Sequence, residues 1–221
     1  MNDLKKFYQN NTSKDLNKWK HYFDIYDENF SKFRNKKITI LEIGVFRGGS
    51  LRMWQNYFGP QTNLIGIDID PACKQYENNN TKIYIGDQAN ENFLESILNE
   101  NEKPDIIIDD GGHTSNQQIS SFNFLFEELK LGGVYLVEDT HTSYAKDFQD
   151  RDDQLTFIEY AKVLSDELND WYRIKDYKLY KQKIDHVDVS YWAKFIHKVC
   201  FYNSIVSIEK RQSETPLSEL S

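Results

Sequence analysis

Leu41-Glu42-Ile43-Gly44-Val45-Phe46-Arg47-Gly48-Gly49-Ser50 is the stretch on which the fold turns. Ile38, Ile40, Leu41 and Ile43 make a short apolar run that stops at a glycine, the pattern of a buried strand. Leu51, Trp54 and Phe58 then recur at helical spacing. The stretch therefore reads as a strand over 38–43 that enters a glycine turn and continues into a helix over 49–58. Glycine at such a turn lets the backbone approach a ligand closely. The spacing is not that of the dinucleotide fingerprint, G-x-G-x-x-G. It is Glu-x-Gly-x-x-x-Gly-Gly, and an acid at the strand end favours a cationic ligand over a pyrophosphate.

The same rhythm continues downstream. Strands are expected at 63–68, 82–86, 105–109 and 133–138, with helical segments between them. Phe93, Leu94, Ile97 and Leu98 mark one such segment, and Ile119, Phe122, Phe126 and Leu129 another. Apolar strands alternating with helices give a parallel sheet covered on both faces. Near the end, 198–202 and 204–209 flank a short polar turn at Asn203, so these two strands must pair antiparallel. An opening helix is expected over about 13–32, with Trp19, Tyr22, Phe23, Tyr26 and Phe30 as its buried stripe. A long helix is expected over 153–171. The expected organisation is an N-terminal helical segment (1–35), a single α/β domain (36–212) and a flexible tail (213–221).

Composition narrows the function. The chain has 221 residues, suiting one domain, and a net charge of −8, which argues against a large nucleic-acid footprint. No apolar run is long enough to span a membrane, and the first residues lack a secretory signal core. Two distant cysteines, Cys73 and Cys200, make neither a disulfide framework nor a zinc site. A cytoplasmic location is the expectation, and a homo-oligomer is compatible with the sequence. Arg173, Lys175, Lys178, Lys181 and Lys183 form a local basic stretch, either a solvated face or a docking patch for an anionic acceptor.

In open α/β sheets, ligands bind at the carboxyl ends of the strands. Here five successive strands end in acids: Glu42, Asp68, Asp87 with Gln88, Asp109-Asp110, and Glu138-Asp139. A strand-end Asp often only caps the next helix. Five in succession would repel one another unless a cation or ligand relieves them. S-adenosylmethionine, with its sulfonium and ammonium, suits such a site. Asp68 is placed for the ribose, and Asp87 and Gln88 for the adenine edge. Asp110, Glu138 and Asp139 offer the oxygen ligands that Mg²⁺ or Mn²⁺ prefers. His113 follows closely enough to act as a base beside the metal.

Five motifs together resemble a known family. They are Leu41–Ser50, Ile67-Asp-Ile-Asp-Pro71, Gly86-Asp-Gln88, Ile108-Asp-Asp-Gly-Gly-His113 and Val137-Glu-Asp-Thr-His-Thr-Ser-Tyr144. In order and spacing they are similar to those of the metal-dependent class I sugar O-methyltransferases, of which the macrolide-sugar enzymes of mycinamicin and macrocin type are best known. The resemblance runs from about Ile38 to Tyr144. It implies a Rossmann-like, mostly parallel seven-stranded sheet with an antiparallel C-terminal hairpin strand and helices on both faces. It also implies S-adenosylmethionine bound by the first motif and the acids that follow, with Glu42, Gly44, Arg47, Gly48, Ser50, Asp68, Asp87, Gln88 and Asp109 as the binding set. The metal falls to Asp110, Glu138 and Asp139, and catalysis to His113 and Asp110. The macrolide enzymes carry a further N-terminal domain that this chain is expected to lack, so their substrate entrance does not carry over. His141 is either a second acceptor contact or a plain loop residue.

The expected activity is O-methylation of a hydroxyl on a sugar, glycan or natural-product precursor. Three alternatives are open: a phosphate-bearing or other anionic cell-envelope acceptor, an adenine-nucleotide or NAD-binding protein, and a metal-dependent oxygenase. The first-loop spacing speaks against NAD. An oxygenase usually needs two histidines and a carboxylate on iron, and only His113 and His141 stand near the acids.

Overall fold

β1 (Ile38–Ile43) lies at the centre of the molecule and is buried at every position. It pairs in parallel with β2 (Thr62–Asp68) on one side and β4 (Ile106–Asp109) on the other. These contacts come from a computed structural model, which describes residues 2–172 and 189–216. β3 (Thr81–Ile85), β5 (Val134–Val137), β6 (Ile196–Tyr202) and β7 (Ile205–Lys210) complete a seven-stranded sheet in the order β3-β2-β1-β4-β5-β7-β6. β7 runs antiparallel to both of its neighbours, β5 and β6. The expected parallel sheet and closing hairpin are both present. Strand order reverses between β1 and β4, and that switch point opens a crevice at the carboxyl ends.

Alternation along each strand assigns its side chains to two layers. Ile38, Ile40, Ile106 and Ile108 face a core shared with α1 (Asp3–Asn10), α2 (Tyr22–Phe30) and α3 (Gly49–Phe58), where Trp54, Tyr26 and Phe30 are fully buried. Leu41, Ile43, Ile107 and Tyr135 face the opposite core, under α4 (Glu91–Glu100), α5 (Ser115–Glu128) and α6 (Phe157–Glu167). A short α7 (Tyr191–Phe195) leads into β6.

Two expected helices are corrected. The opening helix over 13–32 exists only as α2, which begins at Tyr22. Upstream, Ser13 Oγ donates to Asn11 Oδ1 and Asp15 Oδ1, and Lys14 sits at φ +54°. Such local side-chain bonds compete with helix formation. Trp19, assigned to the buried stripe, is 56% exposed. The first helix is instead α1, capped by Asn2, whose Oδ1 accepts from Lys5 N at 2.9 Å. The long helix over 153–171 is shorter, because Thr156 caps α6 while Asp153 is engaged with Arg151 and Leu155 N. Just past β7, Arg211 N donates to Phe195 O, and at the start of the expected tail Ser213 N donates to Lys194 O, 2.8 Å each.

Candidate active site

The crevice holds a cavity of about 510 Å³, within the usual range for small-molecule sites. Its first wall is the loop after β1. Gly44 adopts φ +93°, and a Cβ there would lie 2.0 Å from Asp110 O. Glycine is therefore required to let the β1 and β4 loops touch. Asp68, at the end of β2, accepts from Val45 N and Phe46 N at 2.9 Å each, and from Asp70 N at 2.9 Å. Burial pushes its carboxyl up, but these N–H groups outweigh it and hold the group below its ordinary range. Asp87 is exposed at the far wall and caps Ala89 N.

The remaining expected cofactor residues divide. Ser50 lines the cavity and donates to Glu42 Oε2 at 2.9 Å. Glu42 does not reach the cavity, because alternation along β1 turns it to the Ile40 face. It is fully buried, accepts from Trp54 Nε1 at 2.9 Å, and burial pushes its carboxyl up to about 7. Asp109 is likewise fully buried on the α5 side, where Ser121 Oγ and Gln88 Nε2 donate to it at 2.6 and 3.0 Å. Burial holds its pKa above the ordinary value. Gln88 Oε1 accepts from Gly112 N, so this side chain locks the β4 loop from within. Gly48 packs on Tyr76, and Arg47 is exposed beside Phe46. Glu42, Asp109, Gly48 and Arg47 shape the site from behind or beside it, whereas Gln88 also lines the cavity.

The acidic end is tighter. Asp110, one residue past Asp109, alternates to the other side and enters the cavity. Asp110, His113 and Asp139 each offer a ligand atom within 4.8 Å of the other two. His113 Nε2 lies 3.9 Å from Asp110 Oδ1 and 3.7 Å from Asp139 Oδ2. Its Nδ1 is buried with no partner among the described residues, so the nitrogen available for chemistry faces the carboxylates. His113 and Asp139 both sit in the left-handed region, at φ +61° and +51°. Such strain persists where the surroundings over-determine it. Here Thr142 Oγ1 bonds both His113 O and Asp139 O at 2.9 Å, tying the two loops together.

Glu138, expected with the metal acids, stands outside that trio. Its oxygens accept from Lys18 Nζ at 2.8 and 2.9 Å, and Asp110 Oδ2 accepts from the same ammonium at 2.5 Å. Burial alone would push Lys18 down, but Asp110, Glu138 and Glu42 hold it above its ordinary range. Sequence reasoning missed Lys18, which lies in the part of the expected 13–32 helix that is not helical. It also missed Tyr22, whose hydroxyl donates to Asp139 Oδ1 at 2.6 Å, and Ser204 in the β6–β7 turn, 2.8 Å from that hydroxyl. Tyr22 was read only as core. Nothing in the sequence links it or Ser204 to the site, since both contacts are long-range. His141 Nδ1 lies 2.6 Å from Ser204 Oγ, and its ring stands edge-on to the exposed Trp19. The basic stretch 173–183 lies outside the described residues.

The residues present fit both expected groups. Asp110 and Asp139 are hard oxygen donors, and a single imidazole beside them suits Mg²⁺ or Mn²⁺ better than zinc. Lys18 is the only basic side chain lining the described cavity other than His113, and it is bound to acids. That lining suits the positively charged S-adenosylmethionine better than a diphosphate. Cys73 also lines the cavity, but burial pushes its thiol up to about 12, which excludes a nucleophilic role near neutral pH. Among the described residues, no helix is long and apolar enough to cross a membrane.

No family model matches the chain. Individual proteins do. Over 158 residues it is 36% identical to the 8-demethyl-8-alpha-L-rhamnosyl tetracenomycin-C 2'-O-methyltransferase of Streptomyces olivaceus, covering 67% of this chain and 41% of that protein. The mycinamicin VI 2''-O-methyltransferase of Micromonospora griseorubida is 36% identical over 126 residues, 54% of this chain and 31% of its own length. The chain thus spans well under half the length of these curated relatives. Among solved structures, MycE methyltransferase of the mycinamycin biosynthetic pathway, in complex with Mg, SAH and mycinamycin VI, superposes with a TM-score of 0.80. It is 26% identical, over 96% of this chain and 54% of that one. The fold is that of the class I S-adenosylmethionine methyltransferases, and the chain is homologous to sugar O-methyltransferases over the matched region.

Proposed function

We propose that this homologue of sugar O-methyltransferases is itself an S-adenosylmethionine-dependent, divalent-metal-assisted O-methyltransferase acting on a hydroxyl of a sugar-containing small molecule. The observation that carries this reading is the convergence of Asp110, Asp139 and His113 at one end of an acid-lined cavity of cofactor size. The bound groups would supply an electrophilic methyl and a Lewis acid that lowers the pKa of the attacking hydroxyl.

The chain's own residues do the rest. Asp68 and Asp87 bind the adenosyl end, and Asp68 stays ionised because backbone N–H groups hold it so. Asp110 and Asp139 hold the metal. Tyr22 fixes Asp139 by its hydrogen bond, and Thr142 fixes the spacing between the two loops. His113 Nε2 takes the hydroxyl proton as the oxygen attacks the methyl carbon in line. A sugar hydroxyl is a poor nucleophile at neutral pH, and such a base typically contributes about 10²–10⁴-fold.

The test is an assay with labelled S-adenosylmethionine and rhamnosyl or other deoxysugar glycosides, with and without chelator. Methyl should appear on oxygen and depend on added Mg²⁺ or Mn²⁺. Asp139→Asn should abolish most turnover, and His113→Ala should lower it by about 10²–10⁴-fold while metal binding survives. Full turnover after exhaustive chelation, or transfer to nitrogen or carbon, would overturn the reading. Loss of metal binding in His113→Ala would move that residue from base to ligand.

A further inference from the structure

Three ring side chains gather on the side of Asp139 away from His113, where the N-terminal segment meets the β6–β7 turn. They are Trp19, His21 and His141. The Trp19 indole is 56% exposed. A single exposed aromatic ring needs no explanation by itself. This one is held in place beside the acidic end of the site. Its carbonyl accepts from Tyr22 N at 3.0 Å, at the start of α2. Its ring stands 6.1 Å from that of His141, nearly perpendicular to it, and 6.2 Å from that of His21. Both histidines are anchored on one turn: His21 Nε2 lies 3.0 Å from Asn203 O, and His141 Nδ1 lies 2.6 Å from Ser204 Oγ. A carbonyl only accepts, so His21 Nε2 carries a proton, and in the neutral ring Nδ1 presents a lone pair. In His141 the anchored nitrogen is Nδ1, which leaves Nε2 for a ligand.

A second cavity opens at this place. Its volume is about 480 Å³, its walls include Tyr8, Trp19, His21 and Tyr22, and it reaches Glu138. Asn17 and Lys18 line both this cavity and the first one, so the two adjoin. His141 Nδ1 is 3.9 Å from Asp139 Oδ1, whereas His113 faces Asp139 Oδ2. An aromatic wall with a few polar groups at its edge is the common form of a small-molecule site. A sugar ring matches such a wall, because its C–H face is apolar and its hydroxyls stand at the rim. A ring already held in position also spares part of the ordering cost of binding.

We propose that Trp19 and His141 form the subsite for the methyl acceptor: a neutral sugar ring lies with its C–H face on the indole, and one of its hydroxyls bonds His141 Nε2. This rests on the reading of the site as a sugar O-methyltransferase centre. The two residues select by the shape of the ring and the placement of its hydroxyls, while the first cavity keeps the cofactor.

Calorimetric titration of the whole chain, saturated with S-adenosylhomocysteine and Mg²⁺, against a panel of methyl hexosides and methyl 6-deoxyhexosides tests this. At least one glycoside should bind. Trp19→Ala should weaken its binding at least about tenfold, the effect of truncating a central aromatic contact. Trp19→Phe keeps a ring and should stay within about threefold of the starting protein. His141→Ala should weaken binding by at least about threefold, the loss of one hydrogen bond. S-adenosylhomocysteine affinity should stay within about twofold in all three variants, as for independent sites, which also shows that they fold. A smaller loss in Trp19→Ala or His141→Ala, or a loss in Trp19→Phe as large as that in Trp19→Ala, overturns the proposal and leaves the methyltransferase reading standing. A matching loss of S-adenosylhomocysteine binding overturns it too, because the side chain would then support the fold or the cofactor cavity. If S-adenosylhomocysteine binds and no glycoside does, the sugar reading itself fails, a result distinct from the others.

Discussion

The two ends of the cavity are built from different material. The β1–β3 end is made by backbone: a glycine at φ +93° lets two loops touch, and three N–H groups hold Asp68. The β4–β5 end is made by side-chain charge: Asp110, Asp139 and His113 face one another, and Lys18 and Glu138 pair behind them. The two ends meet at one point, where Gly44 packs against the carbonyl of Asp110.

That meeting point offers the largest expected effect. Gly44→Val places a β-branched side chain at positive φ against the Asp110 carbonyl, and both costs fall on the same residue. S-adenosylhomocysteine binding should be lost, and stability should fall by more than about 3 kcal/mol, a drop in Tm of roughly 6 °C or more. Because the clash is with Asp110, metal binding should fall too. Gly132→Ala is the control. Its φ is +84°, but a Cβ there meets nothing within 4 Å, so it should cost only about 1–2 kcal/mol and leave both ligands bound. Equal effects in a melting experiment would break the distinction between backbone strain and loop contact.

The sequence exposed these two ends unequally. β1 and α3 have the bounds read from the apolar runs, and the strand-end acids were all visible, because period and punctuation are local signals. Which acids enter the cavity was not visible. Asp109 and Asp110 are neighbours, yet one is sealed under α5 and the other faces the site, since side chains alternate at the strand's end. Glu42 is turned away for the same reason. Lys18, Tyr22 and Ser204 come from distant segments and meet the acids only through the tertiary fold.

The smallest expected effect concerns Glu42, which supports the backbone-built end through Ser50 and Trp54. Burial raises its carboxyl from an ordinary 4.5 to about 7, against the pull of Lys18. The native chain therefore keeps a proton that the unfolded chain has released between about pH 4.5 and 7, and stability falls as pH rises through that window. Urea denaturation at pH 5 and pH 8 should show a loss that Glu42→Gln reduces, by at most about 3 kcal/mol. Identical pH slopes for the two proteins would show that Glu42 is not held protonated.

A crystal of the chain grown with S-adenosylhomocysteine and Mn²⁺, with the ion located by its anomalous signal, tests the division of the cavity most directly. The adenosyl group is expected over Asp68 and Asp87, with a single manganese peak between Asp110 and Asp139. Adenosyl density elsewhere, or a manganese peak away from those two carboxylates, would contradict it.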